Sequence, residues 1–182
     1  MNFNKGLLLM LFLGLFLGCF GQELKSPSVG KSLVYFARTS GTGALINFKY
    51  FDGDKYLGKF SGYNYMMYEC DPGEHFFWVT AENRDFVNAE LLADKTYIIQ
   101  VVPRMGAIKA SVKIFPVAAD DEKRMKRVMK LIGKRDPKVL DVQKTLAESD
   151  DLQFFIKNGL EKYERLMKGS QVLKVESNMS HN

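Results

Sequence analysis

The sequence predicts a mainly β fold: an Ig-like antiparallel β-sandwich of about seven or eight strands, followed by a C-terminal extension of about two or three α-helices. Residues 32–117 consist of short alternating apolar segments separated by turn residues, without helical periodicity between them. After Pro116 the composition shifts to charged residues, with apolar residues at helical spacing. A chain of 182 residues is long enough for one such domain with an appendage.

Residues 1–22 have the composition of a secretory signal peptide, because the cation Lys5 precedes an apolar run that ends in small residues. The run is shorter than the roughly 20 apolar residues of a transmembrane helix. Its end resembles a bacterial lipobox, which would leave Cys19 as a lipid-modified N-terminus. Cleavage after Gly21, with Gln22 as the new start, is the alternative. We therefore expect export to the cell envelope, as an outer-membrane lipoprotein or as a soluble periplasmic or extracellular protein.

Residues 23–31 are polar and contain Pro and Gly, which predicts a short tether before the β domain at 32–117. Within that domain, the Asp-Gly-Asp sequence at 52–54 and the Asp-Pro-Gly sequence at 71–73 favour tight turns. The stretch 71–102 has the clearest strand pattern and forms the centre of the predicted domain. Apolar alternation places the predicted strands at 33–37, 44–50, 56–60, 63–70, 76–82, 86–92, 96–102 and 108–114.

Phe76 and Trp78 share one face of a predicted strand with the polar residues Glu74, Thr80 and Glu82. Large aromatic side chains among polar neighbours need a cover: the C-terminal helices, a second subunit, or a ligand such as a glycan or a peptide. We favour cover by the protein's own helices, because aromatic residues on a second sheet face are more often packed than functional. Phe76 and Trp78 remain candidate contact residues until the cover is known.

An extension of three amphipathic helices is predicted at 118–169, followed by a disordered tail at 170–182. The first helix covers 120–134 and has acidic residues in its first turn. The dipeptide Asp136-Pro137 predicts the N-cap and first residue of the second helix. The third helix is predicted over 150–168, where its first residue forms a capping-box pattern with the residue three positions later.

The first predicted helix concentrates positive charge. Its basic residues are Lys123, Arg124, Lys126, Arg127 and Lys130, and Lys134 and Arg135 follow them. One interpretation is a solvated helix face, which we favour because the charge of a single helix is a weak signal. The other is a surface at 123–135 that attracts anionic lipid or another polyanion. Nucleic acid is not expected as a partner, because no base-stacking motif accompanies the basic residues and the leader directs the protein out of the cytoplasm.

The sequence contains no recognisable catalytic or metal-binding pattern, and neither a cofactor nor a metal ion is expected. His75 begins a predicted strand and His181 lies in the predicted tail, so no histidine pair has metal-ligand spacing. Nucleophile-elbow, P-loop and HExxH patterns are absent. Carboxylates near the turns are explained by turn chemistry. Cys70 alternates with apolar residues, which predicts a buried, inert thiol.

Residues of about 31–117 resemble the bacterial domain-of-unknown-function family 2846, many of whose members look like lipoproteins. The resemblance is carried by Pro72-Gly73-Glu74-His75, by the segment from Leu91 to Ile99, and by the upstream segment from Asp52 to Gly58. These segments are also similar to PEGA-type surface modules. The resemblance implies an Ig-like envelope β-sandwich and transfers no catalytic residue to this chain.

We therefore expect an exported, non-enzymatic structural or binding module of the bacterial cell envelope. Its expected partners are the membrane, through a lipid anchor at Cys19, and an unidentified envelope protein or glycan. The first alternative is a membrane-surface or polyanion binder that acts through residues 123–135. The second is an envelope hydrolase, which would need catalytic groups that are distant in the sequence to meet in the fold.

Overall fold

The computed structural model of the chain describes residues 23–106, 110–169 and 172–181, so the predicted leader with Cys19 lies outside the described residues. The described residues form nine strands in two sheets, and three helices follow the eighth strand. The predicted mainly β sandwich with a helical extension is therefore confirmed. The strands are β1 (Ser32–Arg38), β2 (Phe48–Asp52), β3 (Lys55–Phe60), β4 (Asn64–Cys70), β5 (Gly73–Thr80), β6 (Arg84–Leu91), β7 (Lys95–Met105), β8 (Ala110–Val117) and β9 (Leu173–Val175).

The first sheet has the strand order β4-β1-β7-β8, and the second has the order β3-β2-β5-β6-β9. Neighbouring strands are antiparallel, as predicted, except that β1 runs parallel to β7 and β6 runs parallel to β9. Parallel neighbours need a long crossover connection, and both pairs join segments far apart in the chain. Apolar alternation predicts where strands lie but not which distant strands pair, so the structure adds these two pairs.

The core between the two sheets is built from alternate residues of their strands. Phe36 of β1 lies edge-on to Tyr50 of β2 and Phe77 of β5, with ring centroids 5.6 and 5.4 Å apart. Tyr50 also stacks on Phe60 of β3 at a centroid distance of 4.4 Å. Such aromatic pairs contribute about 0.5–1.5 kcal/mol each beyond the burial of their area. Cys70 is buried at the margin of this core, as predicted.

The outer face of the first sheet is covered by the helix α1 (Glu122–Ile132). The carboxylate of its N-cap, Asp121, accepts a hydrogen bond from the Arg124 N–H. Val128 and Leu131 are fully buried against apolar residues of the first sheet, and Ile132 is buried beside them. The first predicted helix therefore exists and buries the apolar stripe expected of it.

The chain then crosses one edge of the sandwich. This edge is formed by β4 of the first sheet and β3 of the second. The Lys138 N–H donates a hydrogen bond to the Tyr65 carbonyl of β4 at 2.8 Å. Leu140 fills a notch in β3, where Gly58 has φ +128° and a Cβ would overlap the Leu140 side chain. The crossing segment thus covers polar backbone and apolar side chains at an edge that would otherwise be open.

Two predicted helix starts are wrong. The helix α2 (Val142–Asp151) begins after its N-cap Asp141, not at Asp136-Pro137, because the contacts at the sandwich edge hold the preceding residues out of a helix. The helix α3 (Gln153–Lys168) begins without a side-chain cap, and Asp150 of the predicted capping box lies in the last turn of α2. Tertiary contacts therefore decide both helix boundaries.

The helix α3 covers the outer face of the second sheet. Ile156 is buried among the aromatic residues of β2, β3, β5 and β6. Gly159 lies directly over the ring of Trp78, so that a Cβ at residue 159 would come within 2.7 Å of Trp78 Cη2. The absence of a side chain at Gly159 allows the helix to approach the sheet this closely.

The predicted disordered tail is wrong for its described part. These residues form β9, in which Val175 is buried, and a short 3₁₀ turn, Ser177–Met179. The His181 backbone N–H donates to the Thr96 carbonyl at 3.0 Å, and His181 Nε2 lies 2.8 Å from the Val117 carbonyl oxygen. Burial lowers the pKa of His181. The neutral imidazole therefore donates Nε2–H to Val117.

Residues 118–169 and 172–181 together form what we call the C-terminal belt. The belt starts after Val117, covers the first sheet with α1, crosses the β4–β3 edge, covers the second sheet with α3 and extends that sheet with β9. Its last described residue, His181, is hydrogen-bonded to Val117, the residue that directly precedes the belt, so the two ends of the belt meet. No helix in the described residues is both long and apolar enough to cross a bilayer.

Replacement of Gly159 by Ala should destabilise the protein, although Ala favours a helix interior by about 1 kcal/mol over Gly. The added methyl group would lie 2.7 Å from the Trp78 ring, and overpacking of this kind costs about 1–3 kcal/mol. We expect a lower midpoint of urea unfolding for Gly159→Ala. Lys157→Ala, at an exposed position of the same helix, is the control and should change the midpoint little. A higher midpoint for Gly159→Ala would contradict the close packing of α3 on Trp78.

Candidate functional site: contact surfaces and the His75 cluster

Trp78 is fully buried and is not available to a partner. Its ring stacks on Phe51 at a centroid distance of 3.7 Å and on Phe155 of α3 at 6.0 Å. Its indole N–H donates to the Gly53 carbonyl at 2.9 Å, so the polar atom of the ring is also satisfied. The favoured expectation, cover by the protein's own helices, is therefore observed, and Trp78 is no longer a candidate contact residue.

Phe76 is partly buried, because its ring stacks on Tyr163 of α3 at a centroid distance of 4.0 Å. A groove of about 430 Å³ lies beside this pair. The Tyr163 hydroxyl donates to Asn88 Oδ1 at 2.6 Å, and Lys174 forms an ion pair with Glu90 at 2.8 Å. These four polar side chains of the groove thus bind one another in pairs, and the Phe76 ring is covered on one side by Tyr163.

The predicted basic residues of α1 separate into two groups. Arg124 is half-buried, because its guanidinium forms an ion pair with Asp121 and lies 5.1 Å from the centroid of the Phe115 ring. The other four are solvent-exposed, and none of them forms an ion pair within the part of the chain that the structure describes. These four residues, which we call the cationic face of α1, are Lys123, Lys126, Arg127 and Lys130.

The position of the cationic face follows from the apolar stripe of the same helix. Val128, Leu131 and Ile132 are buried against the first sheet, and Lys123, Lys126, Arg127 and Lys130 lie on the opposite side of the helix at its 3.6-residue period. The tether reaches the same outer side of the first sheet. Leu24 packs against the cluster that holds α1, and the Lys25 N–H donates to the Tyr35 hydroxyl at 2.9 Å.

Arg38 is a buried cation that no sequence pattern predicted. It ends β1, is 0% exposed, and donates to the carbonyl oxygens of Ile46, Gly43 and Thr42 at 2.7, 2.6 and 3.0 Å. Its guanidinium also lies 4.1 Å from the centroid of the Phe48 ring. Burial lowers the pKa of Arg38. The residue holds the loop between β1 and β2 in one conformation.

Part of the cationic face borders a pocket that the sequence analysis missed. The second half of α1 meets the loop after β1 in an open pocket of about 410 Å³. The pocket is lined by Thr39, Gly41, Tyr63, Arg127, Lys130 and Lys134. No sequence pattern could have joined these residues, because the sandwich brings together three segments that are distant along the chain.

His75 belongs to a polar cluster at the end of β2 and the turn before β5. Its Nδ1 lies 2.8 Å from Asp52 Oδ2, and its Nε2 lies 2.9 Å from the Asp71 carbonyl oxygen. The Tyr68 hydroxyl donates to the same Asp52 oxygen at 3.1 Å. Lys55 Nζ donates to the Tyr68 hydroxyl at 3.3 Å. The structure thus brings together a carboxylate, a histidine and a hydroxyl, the set that a hydrolase would need.

The hydrogen bonds of His75 favour a structural role over a catalytic one. Both ring nitrogens face acceptors, so the ring is held as a doubly protonated imidazolium. Its hydrogen bond with the Asp52 carboxylate is the main reason that the pKa of His75 is raised to about 10. A general base needs a free nitrogen lone pair and a pKa near the working pH. The arrangement therefore ties the turn at Asp71 to the end of β2.

The described residues contain no group of three or more histidine, cysteine or acidic side chains placed to hold a metal ion. No model of a known protein family matches the chain, and no curated protein matches it. The resemblance to the family of unknown function therefore stays a prediction, as do export and lipid modification.

The His75 cluster should make stability decrease in alkali. Because the folded-state pKa is raised to about 10 from an ordinary value near 6.5, its contribution is complete below pH 6.5 and is lost as the pH rises through about 10. We expect the free energy of unfolding in urea to fall over this range. His75→Gln should remove that part of the pH dependence. Identical pH profiles for the two proteins above pH 6.5 would contradict the imidazolium assignment.

Proposed function

We propose that the protein is an exported, non-enzymatic β-sandwich module of the bacterial cell envelope, which contacts an anionic membrane surface through the cationic face of α1. The proposal rests on one observation above all: four exposed cations of one helix have no acidic partner among the described ion pairs. Each Lys or Arg close to an anionic leaflet contributes about 1 kcal/mol of attraction. Four such residues are enough for measurable binding.

The position of the tether supports the same orientation. Leu24 packs on the sheet face that α1 covers, so the chain enters the domain on the side of the cationic face. The candidate lipid-modified residue Cys19 precedes Glu23 by four positions. Four extended residues span at most about 14 Å. An acyl anchor at Cys19 would keep the sandwich against the bilayer and leave α1 within reach of the headgroups.

The other hypotheses have less support. A glycan or envelope protein bound at the aromatic face would need Phe76 and Trp78 to be accessible, and Trp78 is fully buried. An envelope hydrolase would need a base, and both ring nitrogens of His75 face acceptors. Membrane binding through the cationic face of α1 requires neither a rearrangement of the belt nor an additional cofactor.

Charge reversal on α1 should abolish binding to anionic vesicles. The protein carries Cys19→Ser, so that no acyl chain contributes, and is sedimented with phosphatidylglycerol vesicles or with neutral phosphatidylcholine vesicles. We expect binding to the anionic vesicles only, and we expect it to weaken in high salt. The charge-reversed variant carries K123E, K126E, R127E and K130E.

The matched control reverses four cations of α3, on the opposite layer of the sandwich, and has the same net charge. It carries K157E, K162E, R165E and K168E. This control should retain vesicle binding. Equal losses in the two variants would show attraction by net charge alone, and binding by neither the original protein nor the control would refute the proposed membrane contact.

A further inference from the structure

The pocket between α1 and the loop after β1 has features that the rest of the cationic face lacks. Arg127 and Lys130 are three positions apart and so lie on one side of α1, Lys134 lies in the turn that follows the helix, and all three border the pocket. None of the three has an acidic partner among the described ion pairs. Lys123 and Lys126, one turn earlier on the same helix, lie outside the pocket.

The wall opposite α1 is formed by Thr39, Gly41 and the partly exposed Tyr63, and its hydroxyl group at Thr39 is held in place from inside the protein. Thr39 Oγ1 accepts a hydrogen bond from the buried Gln100 side chain at 2.6 Å, so the Thr39 hydroxyl proton is free to donate to another group. Arg38 fixes the carbonyls of the adjoining loop from the interior. Gly41 also lines the pocket, and nothing lies within 4 Å of a Cβ added to it. The binding surface is thus largely formed before any ligand arrives.

The cationic side chains and the hydroxyl group of the pocket are suited to bind a phosphate group. A phosphate group has several strong acceptor oxygens and one to two negative charges, and Arg and Lys are its usual protein partners. Hydroxyl groups such as that of Thr39 donate to the remaining oxygens. A pocket of about 410 Å³ has room for a phosphate with the organic group that carries it.

We propose that this pocket is a discrete site for a phosphate ester, with Arg127, Lys130 and Lys134 as the cationic ligands and Thr39 as a neutral donor. The inference builds on the proposed function, because a membrane contact made by α1 brings the pocket to the level of lipid phosphates. The same chemistry also fits a soluble phosphate ester. The site would give the membrane contact a specific anchoring point in addition to diffuse attraction.

The test is a titration of the Cys19→Ser protein with two probes, glycerol 3-phosphate and short-chain, water-soluble phosphatidylglycerol, at constant ionic strength. Backbone amide chemical shifts report the binding. We expect saturable shifts confined to residues 39–43, to Tyr63 and to residues 127–134. Tighter binding of the lipid identifies a headgroup site, whereas equal or tighter binding of glycerol 3-phosphate identifies a site for a soluble ester. Shifts that rise linearly and spread along the whole helix would overturn the proposal.

A matched pair of variants separates the site from diffuse attraction. R127Q/K130Q removes two charges from the pocket, and K123Q/K126Q removes two charges from the same helix outside it. We expect the first variant to bind both probes at least about tenfold more weakly, because hydrogen bonds to charged groups are lost. The second variant should bind them about as well as the original protein. Equal weakening in the two variants would refute a discrete site.

The outcomes also separate this inference from the proposed function. If anionic vesicles bind but neither soluble probe does, the membrane contact stands and the discrete pocket is refuted. If the probes bind in the pocket but vesicles do not, the phosphate site stands and the membrane contact is refuted. Unfolding midpoints of the variants, measured in parallel, ensure that each loss of binding occurs in a folded protein.

Discussion

The packing of α3 onto the Trp78 ring is the contact on which the arrangement of the protein depends. Both sheets carry apolar residues on their outer faces as well as in the shared core, so a bare sandwich would expose two large apolar surfaces. The belt solves this by covering one sheet with α1 and the other with α3. Trp78, which packs against both Phe51 and Phe155 beneath Gly159, is the largest side chain that this cover buries. Without α3, the apolar outer face of the second sheet would be exposed to solvent.

The fold class was predictable because strands and helices leave periodic patterns in the sequence, and alternation such as that of Val112 and Ile114 marks the core directly. Local patterns could not predict the features that depend on contacts between residues far apart in the chain. The start of α2 depends on Leu140 fitting against Gly58, and the order of the tail depends on β9 pairing with β6. Likewise, the concentration of basic residues in α1 was visible in the sequence, whereas the pocket needs Thr39 and Tyr63, which only the fold brings to that helix.

The belt also determines which surfaces remain for function. The apolar residues on the inner sides of α1 and α3 cover the two sheets, and His181 joins the end of the belt to Val117, whereas Val142, Leu146 and Phe154 stay exposed. The His75 cluster ties a turn in place. The cationic face of α1 has no such structural partner among the described residues, and it lies on the side where the tether enters. One helix therefore serves two purposes, because its buried side stabilises the first sheet while its charged side stays available to an anionic surface.

The most direct test of this account is lysine labelling of the protein in isolated envelope membranes, before and after detergent extraction, followed by peptide mass spectrometry. The account predicts that Lys123, Lys126 and Lys130 of α1 are protected in the membranes and become reactive on extraction, whereas Lys157 and Lys168 of α3 react equally in both. The same spectra report the mass of the N-terminal peptide and so distinguish an acylated Cys19 from a start at Gln22. Equal labelling of α1 and α3 in the membranes, or protection of α3 alone, would contradict the proposed orientation.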